Sequence, residues 1–433
     1  MRDELWDWLL GEAGQEALRL LADCTDEVRN SRIQVGSWKR EQIEAVTEML
    51  AVRHRAAAKL EHPHLWWLTQ RGLEQASGTK VARYKAETYF RRENLERDVF
   101  DICSGVGGDL MEMARQGLVV SVDQDSRLID LQKLTADALG LGSQIRFMNR
   151  PLDVKHIRSE ALWHLDPDRR VGEKKSVQPL CFSPTLAEID ALVSQAPDGV
   201  VKLAPATVVP NHWNCRREWI GAQGECKQQL ALFGCFAEAR SNSNLNERKL
   251  NDTEKQQAGA PGTEGSQDIY VRHRVTVVRN SGEWTTFEGS PIARPQFSKE
   301  MPEPGDCLYE PQAAVFAAGL VPALAQALGL QQVSSRCGYL VGEGGVETNG
   351  LASCFRIEAI SSLDSRKLRK LFLSLDVGQL EIKKRGVPAD WLSPLSKLKP
   401  SGVRPMTLLV FPYGKRVKVA LATRISNTRT SNT

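Results

Sequence analysis

The sequence predicts a mixed α/β chain in which a parallel sheet is preceded by a helical region and followed by a small basic α+β region. Three observations predict it. Apolar residues recur at helical spacing through the first eighty positions, short apolar runs alternate with helical stretches from about residue 100, and an excess of Lys and Arg is confined to positions after 360. At 433 residues the chain is too long for one ordinary core. Three domains are expected: helical over 1–80, α/β over 81–300, and a linker helix with a basic domain over 301–433.

In the first region Leu5, Trp6, Leu9, Leu10, Leu18 and Leu21, and later Ile43, Val46 and Leu50, repeat mostly at intervals of three and four. Strands are then expected at 99–102, 118–122, 145–148, 161–165 and 200–203, with helices between them, the signature of repeated βα units. Residues 270–278 and 284–287 read as a closing antiparallel pair, and helix returns between Pro311 and Leu328. The stretch 241–267 is polar, almost free of large apolar side chains, and reads as a disordered surface insertion; 426–433 reads as a frayed tail.

Composition excludes several classes. Hydrophobic residues make up 41% and charged residues 25%, as in an ordinary globular protein. No apolar run is long enough to cross a bilayer, and MRDELWDWLL carries acids where a secretory leader carries bases, so a cytoplasmic protein without membrane contact is expected. Nine cysteines form no CxxC pair, and Cys215, Cys226 and Cys235 lack a histidine pair, so neither a disulfide framework nor a metal site is expected.

The informative segment is VFDICSGVGGDLMEMARQGLVVSVDQD, 99–125: strand, glycine-rich turn, helix, second strand, terminal acid. That order is the first βαβ unit of a Rossmann-like nucleotide-binding sheet. Cys103, Gly105, Gly107 and Gly108 shape a turn that lets backbone approach a ligand, and Asp123 stands where ribose hydroxyls are accepted. The third glycine of a dinucleotide site is replaced by Leu110, and Asp109 is expected beside the ligand, where a carboxylate disfavours a pyrophosphate. Carboxylates suit a cationic nucleoside instead, which points to S-adenosylmethionine; Asp101 suits its amino group or the loop's own backbone, and Asp153 the adenine amine.

Asp166 and Pro167 follow the fourth strand, at the end of the sheet where open parallel sheets bind their ligands. The turn is similar to the DPPY motif of enzymes methylating exocyclic base amines, although Asp168 and Arg169 depart from it and no aromatic residue stacks the base. Asp166 is expected to accept amine protons, with Arg169 and Arg170 holding a phosphate or base edge; the bland alternative is a helix-capping turn. From residue 361 onward there are fifteen Lys or Arg against four acids, a balance of +11 that leaves −7 for the rest of a chain whose total is +4. Arg366, Lys367, Arg369 and Lys370 on one helical turn, with Lys383, Lys384 and Arg385, form a candidate patch for RNA phosphates. Trp66 and Trp67 are candidate stacking residues, but beside Leu65 and Leu68 they read better as core.

These residues resemble bacterial class I S-adenosylmethionine-dependent methyltransferases that carry a THUMP-like domain at the C-terminus. The resemblance covers most of the chain and rests on RGLEQASGTKVARYKAE (71–87), DICSGVGGD (101–109), HLDPDRR (164–170), VKLAPA (201–206), LYEPQAAVFAAGL (308–320) and LEIKKRGV (380–387). It implies a class I methyltransferase sheet with an N-terminal helical domain and a small α+β THUMP-like domain, S-adenosylmethionine as cofactor, and tRNA or rRNA as partner. Departures are Cys103 where glycine is common, Asp168 inside a DPARR-like turn, and the 241–267 insertion. The alternatives are a scaffold that binds the cofactor without catalysis and a methyltransferase for a protein or small molecule.

Overall fold

In the computed structural model the described residues are 3–22, 38–91, 97–168, 170–171, 174–175, 182–237, 272–388, 391, 395 and 398–425. The 241–267 insertion, the 426–433 tail and Arg169 lie outside them. The chain forms two compact units: residues 1–202 with 233–236, and residues 203–232 with 237–433.

The first unit begins with helices Asp3–Leu10, Glu12–Ala22, Arg40–Ala56, Gln70–Gln75 and Thr79–Tyr89. Trp66 and Trp67, between the third and fourth, are buried; the Trp66 indole N–H donates to the Glu61 carbonyl, and the Arg53 guanidinium lies 5.2 Å over the Trp67 ring. They pack rather than present a stacking face. The sheet follows as β1 (Val99–Ile102), β2 (Val119–Asp123), β3 (Ile145–Asn149), β4 (Leu162–Leu165), a short antiparallel pair β5 (Arg170–Val171) and β6 (Lys174–Lys175), and β7 (Gly199–Leu203). The parallel strands run in the order β7-β4-β1-β2-β3, so each crossover carries the chain outward from β1 on one side and then the other. Both faces of β1, β4 and β7 are buried, which is why they read as continuous apolar runs.

Two of the helices between them start at polar caps. Asp125 accepts from the Arg127 N–H at the head of Ser126–Ala138, and Thr185 with Glu188 forms a capping box at the head of Leu186–Gln195.

The second unit contains β8 (Arg216–Ala222), β9 (Glu225–Leu232), β10 (His273–Val278) and β11 (Trp284–Gly289), ordered β11-β10-β8-β9. β10 and β11 are antiparallel, as the sequence predicts; the β8–β9 hairpin is absent from the sequence reading. Helices Ala313–Ala317 and Val321–Ala327 share one core with this layer, including Trp219, Val275, Phe287, Leu324 and Tyr309. A seven-stranded sheet follows, from β12 (Cys307–Pro311), β13 (Gln331–Ser334), β14 (Cys337–Gly342), β15 (Ala352–Ser362), β16 (Val377–Lys384), β17 (Arg404–Tyr413) and β18 (Arg416–Ile425). Its order is β13-β14-β12-β15-β18-β17-β16, and helix Ser365–Ser374 buries Leu368 and Phe372 against Val377, Leu408 and Val419. Asp364 caps that helix, accepting from the Arg366 and Lys367 N–H groups. This is the α+β arrangement expected of the C-terminal region.

Candidate functional site

Beyond β1 the chain turns through Cys103, Gly105 and Gly107, with φ of 57°, 59° and 86°. The left-handed region is costless for glycine and strained for Cys103, the one position where glycine was expected and is missing. The turn is tied at four points. Cys103 N–H donates to the Val122 carbonyl (2.8 Å) and Gly105 N–H to Asp123 Oδ2 (2.9 Å), while Asp123 Oδ1 accepts from Asp125 N–H (3.0 Å). Fully buried Gln132 donates to the Gly105 carbonyl (2.6 Å) and to Ser104 Oγ (2.9 Å), and accepts from Ser121 Oγ (2.6 Å). Gly108 is required by close packing: a Cβ there would sit 3.0 Å from Ala76 Cβ and 3.1 Å from the Ser77 backbone. At Gly105 a Cβ would meet nothing within 4 Å, so this stretch of turn offers bare backbone.

Beneath the turn lies a buried chain of charges that sequence reasoning missed. Asp101 on β1 pairs through Oδ1 with His164 Nδ1 on β4 (2.8 Å). Lys85, on helix Thr79–Tyr89, lies 3.4 Å from His164 Nε2, donates to Ser77 Oγ (3.3 Å) and pairs with Asp109 Oδ1 (2.7 Å). Lys202 on β7 continues the chain, 3.6 Å from Asp109 and 2.6 Å from Asp166 Oδ2. Burial opposes ionisation of Asp109, yet Lys85, Lys202 and His164 outweigh it and hold its carboxyl far below the usual range. Burial pushes the Asp101 carboxyl up, His164 only partly offsetting it, and pulls the Lys85 ammonium down against the attraction of Asp109. Asp109 is therefore not the ligand-facing acid the sequence suggested. It is spent on two lysines, and it caps no N–H of the helix Leu110–Gln116 that it precedes.

Burial, the larger cause, and the carboxylates of Asp123, Asp166, Asp101 and Asp168 push the thiol of half-buried Cys103 up. The structure thus gathers Asp101, Cys103, Gly105, Gly107, Gly108, Asp123 and Asp166 about one turn. Burial also raises the Asp123 carboxyl, the backbone donors of Asp125 and Gly105 partly offsetting it. Asp166 is fixed by its own N–H, which donates to the Ile102 carbonyl (3.2 Å), and by Lys202; Pro167 beside it is buried. Asp168 pairs with Arg71 (3.0 Å) from helix Gln70–Gln75. Asp153 stands apart: it is solvated, accepts from the Lys155 N–H (3.1 Å) and pairs with His156 (2.7 Å). The Lys155 N–H, then His156, hold its carboxyl below the usual range.

In the second unit the basic residues divide. Arg366, Lys367, Arg369, Lys370 and Lys384 are exposed. Lys383 and Arg385 are engaged with Glu310 on β12, at 3.0 and 2.9 Å, and the Arg385 guanidinium lies 4.4 Å over the Phe316 ring. Among the described residues no His/Cys/Asp/Glu group is arranged to hold a metal ion, and no helix is long and apolar enough to cross a membrane.

Sheet order, glycine turn and acid-ended second strand define a Rossmann-like class I methyltransferase fold, followed by a THUMP-like domain. Residues 352–426 match the THUMP domain-like family model. A relative described as an uncharacterized S-adenosylmethionine-dependent methyltransferase, from two strains of Mycobacterium tuberculosis, CDC 1551 and H37Rv, is 26% identical over 85% of this chain and 92% of its own length. A crystal structure from Porphyromonas gingivalis W83, named as a candidate methyltransferase, shares the fold over 98% of both chains, with a TM-score of 0.68 and 17% identity.

Proposed function

We propose that this chain is a cytoplasmic S-adenosylmethionine-dependent methyltransferase that acts on a nucleobase amine of tRNA or rRNA. One observation carries the reading: a left-handed glycine turn with open backbone at Gly105 brings together the acids that end β2 and follow β4. The residues fit the cofactor. Asp101 Oδ2 is buried and accepts no hydrogen bond from the described residues, which suits a cationic amino donor, and Asp123, at the end of β2, suits ribose hydroxyls. Asp153 is the candidate for the adenine amine. When bound, the cofactor supplies an electrophilic methyl group on a sulfonium.

The rest of the chemistry falls to the protein. A base amine is a weak nucleophile because its lone pair is delocalised, and a fixed carboxylate accepting its protons favours the reacting form. Asp166 has the fixation this needs, with its backbone bound to β1 and its Oδ2 on Lys202. Pro167 stiffens the turn, and Arg169 is the candidate for a base edge or phosphate. In the C-terminal domain Arg369, Lys370 and Lys384, with Arg366 and Lys367, are the candidates for RNA phosphates; Lys383 and Arg385 shape that surface through Glu310.

The test is transfer of labelled methyl groups from S-adenosylmethionine to total RNA of a strain lacking the gene. Asp166→Ala is expected to lower transfer about 100-fold or more, while calorimetric affinity for the cofactor or its demethylated product stays within a few fold. Failure of the intact protein to take up either compound at millimolar concentration overturns the reading.

A further inference from the structure

On the RNA methyltransferase reading, and resting on it, we propose that Arg71 anchors a phosphate of the acceptor RNA and is held for it by Asp168. The problem it solves is electrostatic. Asp123 accepts from the Gly105 N–H and Asp166 is bound to the end of β1 through the Ile102 carbonyl, so both flank the glycine turn and a phosphodiester approaching Asp166 meets carboxylates. Lys85 and Lys202 do not answer it: both are buried and bound to Asp109, and Lys202 also to Asp166.

Arg71 differs in being at the surface, its side chain 58% exposed, with one Nη2 contact of 3.0 Å to Asp168 Oδ2, itself 44% exposed. An ion pair so solvated contributes little to stability. A phosphate offers the guanidinium a stronger, two-pronged partner, so exchange of Asp168 for phosphate is favourable.

The backbone carrying Arg71 is nevertheless fixed. Thr69 caps helix Gln70–Gln75 by accepting from the Gly72 N–H (2.9 Å), and Gly72 packs so closely on the glycine turn that a Cβ there would lie 2.2 Å from Val106 Cγ1. A pinned stem with an exchangeable head, two residues from Asp166 through its partner, is suited to place one phosphate beside the acceptor.

The experiment measures steady-state methyl transfer to RNA from the gene-deficient strain, with RNA affinity measured over a range of salt, for the intact protein, Arg71→Gln and Asp168→Asn. Arg71→Gln is expected to raise KM for RNA about tenfold, leave KM for S-adenosylmethionine and kcat within twofold, and make the log–log salt slope shallower by about 0.7–0.9, one phosphate contact. Asp168→Asn frees the guanidinium and is expected to lower KM for RNA about threefold. An unchanged RNA KM in Arg71→Gln overturns the proposal. So does Asp168→Asn raising KM as Arg71→Gln does, the result for a pair that merely braces the turn. Absence of transfer to RNA by the intact protein instead sinks the function on which this rests.

Discussion

Around β1, acids and bases are stacked inside the protein: Asp101, Asp109, His164, Lys85 and Lys202 are all buried, and each has an opposite partner. On helix Ser365–Ser374, Arg366, Lys367, Arg369 and Lys370 stand in solvent on the face opposite Leu368 and Phe372. The first region uses its charge to fix the geometry of a turn, and the second holds its charge ready for a partner, with Lys383 and Arg385 intermediate because Glu310 engages them.

The sharpest way to break this contrast is to remove one charge from each side. Lys85→Met would take from buried Asp109 its nearest cation, leaving the Ser77 hydroxyl at 2.8 Å, Lys202 at 3.6 Å and His164 at 3.9 Å, and a loss of about 3–5 kcal/mol is expected in chemical denaturation, the cost of breaking a buried ion pair. Lys384→Ala, at an exposed position, is expected to stay within about 0.5 kcal/mol. Equal effects would mean that the buried chain is not what holds the turn.

RNA binding should invert the order. Neutralising Arg366, Lys367, Arg369 and Lys370 together is expected to make the salt slope of RNA affinity shallower by up to about 3, at roughly 0.7–0.9 per phosphate contact, with little change in stability. Glu310→Gln, which releases Lys383 and Arg385, is expected to destabilise the second unit in thermal unfolding and to tighten RNA binding slightly.

The smallest effect concerns pH. Burial raises the Asp123 carboxyl, so the cofactor-free protein protonates it at a pH above the ordinary Asp value of about 4. Binding through ribose hydroxyls needs the ionised form, so calorimetric affinity is expected to fall as pH drops toward that raised value, and to flatten in Asp123→Asn. A profile unaltered by the substitution removes Asp123 from the cofactor site.

Much of this contrast was legible in the residues themselves. β1 matches its expected bounds, and β2, β3, β4 and β7 differ from theirs by a residue, because strands buried on both faces announce themselves as apolar runs ending in turn residues. The β8–β9 hairpin escaped for the converse reason. Glu218, Gln228 and Gln229 are buried polar residues within it, and they erase the alternation that marks a strand.

The charge chain escaped because its members lie far apart, at 85, 101, 109, 164 and 202, and pairing is a property of the fold. A signal was nonetheless present. Lys85 shares a buried helix face with Val81, Ala82 and Tyr89, and Asp101, His164 and Lys202 each interrupt an apolar strand. An ionisable residue in such a place must find a partner of opposite sign, and three strands bearing them in one sheet could have been matched. Glu310, buried within β12, carried the same mark, but its partners Lys383 and Arg385 lie more than seventy residues away in a run of bases that shows no sign of which are engaged.

The contact of Gly108 with Ala76 and Ser77 has a practical consequence for anyone dissecting the chain. Ser77 donates to Asp109, the Gln75 carbonyl accepts from Lys202, and Gly72 rests on Val106. A protein trimmed to start at residue 81, where composition invites the cut, would keep every glycine of the turn and lose the surface against which they are moulded. Its failure to bind a nucleoside would then report a missing wall, and the leading helices should travel with the sheet in any domain exchange between relatives.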